Sequence, residues 1–362
     1  MATGWPMKTT YANGDVYSAS DVNDTNGTIN LLTSTTLSRA AGKNAIINGG
    51  FDIWQRGTSI TMSSTAYTAD RWNGYRSVAG GTVTRQTTGD TTNLPNIQYC
   101  ARISRDSGNT ATTSLYFGQS VETSNAIPYA GKAITFSFYA RKGANYSPTS
   151  SALIAGLYSG TGTDQNNTTG SYTGFATVAE NTATLTTTWQ RFTYTGTFAA
   201  TATEFCVQFA MAPTGTAGAA DYFEVTGVQI ELGSTATTFS RAGGTIQGEL
   251  AACQRYYFRT NNSAASDGLL ANSGYIVTSG AAFAFTPLPV TMRVVPTTLD
   301  YAALSVTDMN GTTTAVTTAS IISITSATSI GVQFNSSGMT TNRFCFVKQN
   351  TTGGYLGFGA EL

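Results

Sequence analysis

The chain has 362 residues, with 19 Lys plus Arg, 19 Asp plus Glu, no histidine, and only 10% charged against 41% hydrophobic residues. A zero net charge with no basic block argues against a nucleic-acid partner, because phosphate binding needs a concentrated cationic face. The missing histidine removes the commonest general base and a common metal ligand.

The length suits two or three globular units, each able to bury a core. Hydroxyls and amides, with Thr foremost, take the solubilising role that ions usually have; a β-branched Thr also fits a pleated surface. Cys100, Cys206, Cys253 and Cys345 lie far apart and form no CxxC pair, which excludes a zinc ribbon and a thioredoxin-like motif. Cys206, in Glu204–Phe209, is expected to be a small buried thiol. No apolar leader follows Met1 and no stretch approaches the ~20 apolar residues of a membrane span, so synthesis in a cytoplasm without membrane insertion is expected.

In chain order, Tyr11 to Asp15 reads as a turn, and Ser20 can cap a short helix whose thin apolar stripe is Val22, Ile29, Leu32 and Leu37. Gly27 and the Thr and Asn residues around it argue that this segment orders against a partner. After Gly42 strands take over: Ala45–Ile47, a turn at Asn48-Gly49-Gly50, then Phe51–Trp54, Thr82–Arg85, Ala133–Ala140, Arg191–Tyr194, Glu204–Met211 and Tyr222–Leu232. In the last, Val228, Ile230 and Leu232 are expected on one face.

Thr245 is a cap for a helix reaching Cys253, with Ile246, Glu249, Leu250 and Cys253 at helical spacing. Beyond it Arg255–Arg259, Ala282–Phe285, Ser320–Ile324, Ile330–Phe334 and Arg343–Val347 read as strands, whereas Pro287, Pro289 and Pro296 mark a loop or edge. The expected architecture is all-β, in three parts: residues 1–42, a β-sandwich over 43–243, and a C-terminal β-sandwich-like domain over 244–362. Its uncharged sheet edges need cover from neighbouring subunits.

Three ordered phrases, Asn44–Gly57, Tyr67–Trp72 and Val225–Gly233, the last continuing through Phe239 to Glu249–Tyr257, resemble the jelly-roll domain of bacteriophage tail fibres and other virion proteins. That domain is similar in look to carbohydrate-binding modules. Gly14–Asn23 resembles the virion-attachment segment of such fibres, which puts Asp15, Val16, Val22, Ile29 and Leu32 forward as attachment residues. The resemblance implies a homotrimeric fibre located on the virion. Its N-terminal segment would dock on a tail or capsid protein, and a C-terminal tip domain would point outward, with adhesion to host-surface polysaccharide as the function. It leaves open a head-fibre or capsid-decoration (cement) role, and a polysaccharide depolymerase is a third reading, disfavoured by the low charge and the lack of regular repeats.

Trp54, Trp72 and Trp189 are read as packing residues. Tyr75, Tyr158 and Tyr172, taken to be exposed, are the candidate glycan contacts, because loops on a rigid sandwich carry specificity. Asp52, Asp70, Glu224 and Glu231 are the carboxylates from which a hydrolytic pair would be drawn. Glu224 and Glu231 are also candidate ligands for a structural calcium, the one cofactor entertained, against the alternative that they pair with Arg71 or Arg56. No catalytic residue is assigned; the expectation is a non-enzyme.

Overall fold

The computed structural model describes residues 42–62, 64–167, 172–261 and 268–362. The attachment candidates Asp15, Val16, Val22, Ile29 and Leu32, with the helix start at Ser20, lie outside the described residues.

Two six-stranded sheets form the first sandwich. The first runs β1 (Ser59–Met62), β4 (Gly81–Thr87), β5 (Tyr99–Arg105), β12 (Tyr222–Leu232), β7 (Ala133–Lys142), β10 (Gln190–Thr197). The second runs β2 (Ala66–Tyr67), β3 (Asn73–Tyr75), β6 (Leu115–Val121), β11 (Glu204–Met211), β8 (Ala152–Gly160), β9 (Ala176–Thr184). A short α1 (Thr123–Ala126) follows β6. Paired strands are antiparallel.

Alternation decides which side chains meet between the sheets. Phe136 and Phe138 of β7 face Phe209 of β11, with the Phe138 and Phe209 rings edge to face at 4.9 Å, and Trp72 stacks on Phe117 at 4.9 Å. In β12 a bulge between Thr226 and Gln229 is turned by Gly227 at φ 58°, where a Cβ would lie 2.8 Å from Ile97 Cδ1. The bulge keeps Val228 and Ile230 in the core, but Leu232 runs past its end and is exposed.

Phe51–Trp54 is not a strand. Asn48 and Phe51 take positive φ, and the Asn48 side chain both donates to Ile53 O and accepts from Ile53 N. This local bonding folds the segment back in place of a ladder.

Helix α2 (Ile246–Gln254) starts where expected, with the Thr245 hydroxyl accepting from Gly248 N at 3.1 Å. Its buried side is Glu249 and Cys253, while Ile246 and Leu250 are exposed. The inversion follows from hydrogen bonding: the Glu249 carboxylate accepts from the backbone amides of Gly243, at 2.7 Å, and Asn48.

The C-terminal part has a three-stranded sheet, β13 (Tyr257–Asn261), β22 (Tyr355–Gly359), β16 (Thr298–Ala302). Its companion has seven strands in the order β18 (Thr313–Ala315), β17 (Leu304–Asp308), β21 (Arg343–Gln349), β14 (Leu269–Thr278), β15 (Ala281–Pro287), β20 (Ser329–Asn335), β19 (Thr318–Ile321). Phe334, Val347, Leu356 and Phe358 fill the space between them. The strand expected from Arg255 begins at Tyr257, because Arg255 is still the C-cap of α2, and the one expected over Ser320–Ile324 stops at Ile321.

A polar junction ties the two parts together. Arg71, buried in the sandwich, is paired with Glu361, donates to Ser120 O at 2.8 Å and lies 3.6 Å over the Tyr256 ring. Arg56 lies 3.5 Å over Tyr257 and reaches Glu361 at 3.2 Å. Arg56 is 3.6 Å from Asp70, too long for a hydrogen bond. Burial therefore dominates at Asp70 and pushes its carboxyl up from 3.8 to about 6.

That shift has a measurable sign. A carboxyl with a higher pKa folded than unfolded takes up its proton first in the native state. Its contribution is complete below the unfolded value and is lost as pH rises through about 6. Lowering the pH from 7 to 5 should raise the unfolding free energy through Asp70 by about 1–2 kcal/mol, and Asp70→Asn should flatten that gain. Urea midpoints at the two pH values check it; equal slopes for both proteins would contradict it.

Candidate functional site

The second sheet turns Phe117, Phe209 and Leu157 to the core, so the intervening residues of β6, β11 and β8 face outward. Cross-strand register assembles them into rows. One row reads Tyr75, Tyr116, Ala210, Ile154, Thr182; the next reads Asn73, Gly118, Gln208, Gly156, Glu180. A third brings Ser120, Cys206 and Tyr158 together.

The Tyr75 and Tyr116 rings lie 6.1 Å apart at one side of this face, both partly exposed. At the other side Tyr158 stacks on the exposed ring of Phe175 at 5.3 Å, and its hydroxyl donates to Glu180. Between them the floor is low, made by Gly118, Ala210 and the partly exposed amide of Gln208. Gly118 has to be glycine, since a Cβ there would sit 2.6 Å from Val207 O. The buried amide of Asn73, opposite Gly118, has hydrogen-bond partners at neither its nitrogen nor its oxygen, a condition that in a folded protein marks a place for a water or a hydroxyl.

The three tyrosines singled out in the sequence therefore all belong to this sheet's outer side, but two are not exposed. Tyr158 is a β8 residue, 7% exposed, and Tyr172 is 3% exposed, packed with Tyr158 against Cys206. Their burial has a simple cause: the aromatic rings close over small neighbours, and a Cβ on Gly156 would lie 2.2 Å from the Tyr158 hydroxyl. Burial also raises the Tyr158 and Tyr172 hydroxyls far above the ordinary phenol range. Tyr116, Gln208, Glu180 and Phe175 were not singled out; the alternation of Leu115–Val121 was the available signal for Tyr116.

The first sheet's outer face is occupied by its own contacts. Glu224, fully buried, accepts from Arg102 Nε at 2.8 Å on one oxygen and from Arg141 on the other. Arg102 covers the Tyr222 ring at 4.0 Å and Arg141 the Trp189 ring at 4.6 Å. Trp189 is further buried against Leu94 and Ile97, and its indole donates to Thr88 O at 3.0 Å.

Glu231 accepts from Gln229 Nε2 at 2.7 Å and from Thr237 N at 2.9 Å, with Lys43 at 3.6 Å. Glu224 and Glu231 thus sit in separate networks, and their cations are Arg102, Arg141 and Lys43 in place of Arg71 and Arg56. Among the described residues no group of three or more His, Cys, Asp or Glu side chains stands together as a candidate metal site. Asp52, another carboxylate considered for hydrolysis, is paired with Arg241 at 2.8 Å. Trp54, Trp72 and all four cysteines are buried, the cysteines as free thiols.

Fold and face define the chain as an all-β protein with a twelve-stranded double-sheet sandwich. No family model and no curated protein matches it. Among solved structures it is similar to a family 4 carbohydrate-binding module, 19% identical over 51% of this chain and 98% of that one, with a TM-score of 0.30. It is similar to the enzymatically active domain of bacteriophage CBA120 tailspike protein 4, at 13% identity over 52% of this chain and 21% of that one, with a TM-score of 0.33. A sugar-binding-type protein of Bacteroides thetaiotaomicron is 12% identical over 52% of this chain and all of that one, with a TM-score of 0.34. Likeness this distant bears on neither ligand nor activity.

Proposed function

We propose that the chain is a non-catalytic structural protein of a bacteriophage particle, a homotrimeric tail fibre whose sandwich binds host-surface glycan on the outer face of its second sheet. The observation that carries the glycan part is the Tyr75–Tyr116 pair with Gln208 on the neighbouring strand and Glu180 at the far side of the same open, low-floored face. An aromatic ring matches the C–H face of a pyranose, while an amide and a carboxylate supply the acceptors and donors its hydroxyls need. A zero net charge suits a neutral polysaccharide, with no long-range repulsion or steering. The virion part is supported by the ordered phrases Asn44–Gly57, Tyr67–Trp72 and Val225–Gly233.

Affinity at one such shallow face is weak, and repeated copies on one particle raise it through effective concentration. The test is an array of bacterial surface polysaccharides probed with the full chain. Retention on at least one polysaccharide is expected, with Tyr116→Ala weakening single-site binding about tenfold, the size of one lost ring contact. No retention on any polysaccharide overturns the glycan reading. Antibody labelling of intact particles tests location: label on tail appendages supports the fibre, and label over the capsid lattice replaces it with decoration.

A further inference from the structure

The outer side of the seven-stranded C-terminal sheet carries an ordered row of side chains. Cross-strand register sets Phe344 of β21 opposite Tyr275 of β14, Tyr275 opposite Phe283 of β15, Phe283 opposite Gln333 of β20, and Gln333 opposite Ser320 of β19. Three rings, an amide and a hydroxyl thus follow one another across the strands, a line of about 19 Å at the ~4.8 Å spacing of neighbouring strands. Phe344 is 71% and Tyr275 39% exposed, their rings meet edge to face at 5.9 Å, and Phe283 and Gln333 are partly exposed.

Amides stand at both ends of the rings, and their neighbours fix which way they serve. At the Phe344 end Asn342 Oδ1 accepts from the Tyr275 hydroxyl at 3.0 Å, which leaves the Asn342 nitrogen as a donor. At the other end Gln333 Nε2 donates to Asn335 Oδ1 at 2.8 Å, and Asn335 Nδ2 donates to the Thr318 hydroxyl at 2.9 Å, so Gln333 offers its oxygen as an acceptor. The sequences of β14, β15, β20 and β19 contain no charged residue. Lys348 shares this side of β21, but about 13 Å along the strand from Phe344.

Size and chemistry select the occupant. Phe344, Met309, Tyr275, Val277 and Phe285, each more than a third exposed, present about 500 Å² of side-chain surface, taking about 150–250 Å² for a whole large side chain. That is well short of the ~800 Å² per partner of a standard protein interface. A nucleic-acid strand also stacks on rings, but it needs a cationic groove along its backbone, which strands without charge do not supply. A sugar chain finds what it needs: ring faces for the C–H faces of its pyranoses, and an amide donor and an amide acceptor for the hydroxyls at its edges.

We propose that the row from Phe344 to Ser320 is a second polysaccharide-binding track, taking an extended run of neutral pyranose units laid across the strands. The proposal rests on the reading that the chain binds host polysaccharide and adds a face to it; neither face requires the other. With two tracks, one chain holds a polymer at two places and the second engagement is intramolecular.

The test is affinity electrophoresis of the full chain in gels of the polysaccharides that retain it on the array, with Phe344→Ala, Gln333→Ala and Tyr116→Ala run beside it. Phe344→Ala should weaken binding about tenfold, the size of one lost ring contact, and Gln333→Ala about threefold, that of one hydrogen bond. Circular dichroism should be unchanged in both, since neither side chain belongs to the core. If Phe344→Ala and Gln333→Ala bind like the parent while Tyr116→Ala is weakened, the track is overturned and the first face stands. If Phe344→Ala is weakened and Gln333→Ala is not, the rings are an apolar contact without sugar recognition and the proposal falls. Weakening in Phe344→Ala and Gln333→Ala but not in Tyr116→Ala keeps the track and removes the first face. A parent retarded by no polysaccharide overturns both.

Discussion

Trp72→Ala should lower the unfolding free energy of the sandwich by about 3–5 kcal/mol, the range for truncating a large buried aromatic side chain. Trp72 has no exposure and lies between Phe51 at 4.9 Å, Phe117 at 4.9 Å and Phe209 at 6.4 Å, so its loss opens a void that three ring neighbours border. The indole N–H donates to Asn48 O at 3.1 Å, but that carbonyl keeps a second donor, Phe51 N at 3.0 Å. The cost is therefore mainly the cavity and the lost burial. Against a total stability of about 5–15 kcal/mol for a typical domain, such a loss brings the sandwich close to unfolding. Trp72→Phe, which keeps a ring against Phe117, should lose less than half as much. Urea denaturation followed by fluorescence measures both; a Trp72→Ala midpoint equal to that of the parent would remove Trp72 from the core account.

Glu361→Ala should have the second largest effect, and a different character. Glu361 is the carboxylate shared by Arg71 and Arg56, and Arg71 is itself 2% exposed. Taking away one partner of a buried pair leaves an uncompensated charge, which costs about 3–5 kcal/mol. The loss falls at the junction, where Tyr256, Tyr257 and Gln55 also meet: Gln55 Nε2 donates to Tyr257 O at 2.6 Å. Calorimetry should show the C-terminal sheets and the sandwich unfolding in separate steps, with one transition moved down by several degrees. Glu361→Gln, still an acceptor, should fall between. A single unshifted transition in Glu361→Ala would show that the two parts are held by something other than this network.

Much of the sandwich was legible because its strands alternate cleanly and end in turns. Glu204–Met211 and Tyr222–Leu232 match β11 and β12 to the residue. Tyr99–Arg105 was not read as a strand, and Arg105 explains why. It occupies an inward position of β5, fully buried, with Asp221 at 2.9 Å and three backbone carbonyls on its second nitrogen. A buried guanidinium whose two terminal nitrogens are hydrogen-bonded is indistinguishable in sequence from a solvated one. Tyr158 reads as a loop residue because Ser159 and Gly160 follow it, although all three belong to β8.

The candidate face was less legible for a geometric reason. Tyr116, Gln208, Gly156 and Glu180 are neighbours only through the register of four strands, and pairing between strands tens of residues apart leaves no trace in one sequence. The same holds for Glu224, whose partners Arg102 and Arg141 lie 122 and 83 positions away. The candidate partners Arg71 and Arg56 belong instead to the junction.

The most direct test of the central claim is affinity electrophoresis of the full chain in gels containing a polysaccharide retained on the array, comparing Tyr116→Ala and Gln208→Ala on the second sheet with Arg191→Ala on the first. The account predicts that retardation is lost or weakened about tenfold in the first two and kept in the third. Retardation that survives Tyr116→Ala and Gln208→Ala but disappears in Arg191→Ala would place the glycan on the opposite sheet and contradict the assignment.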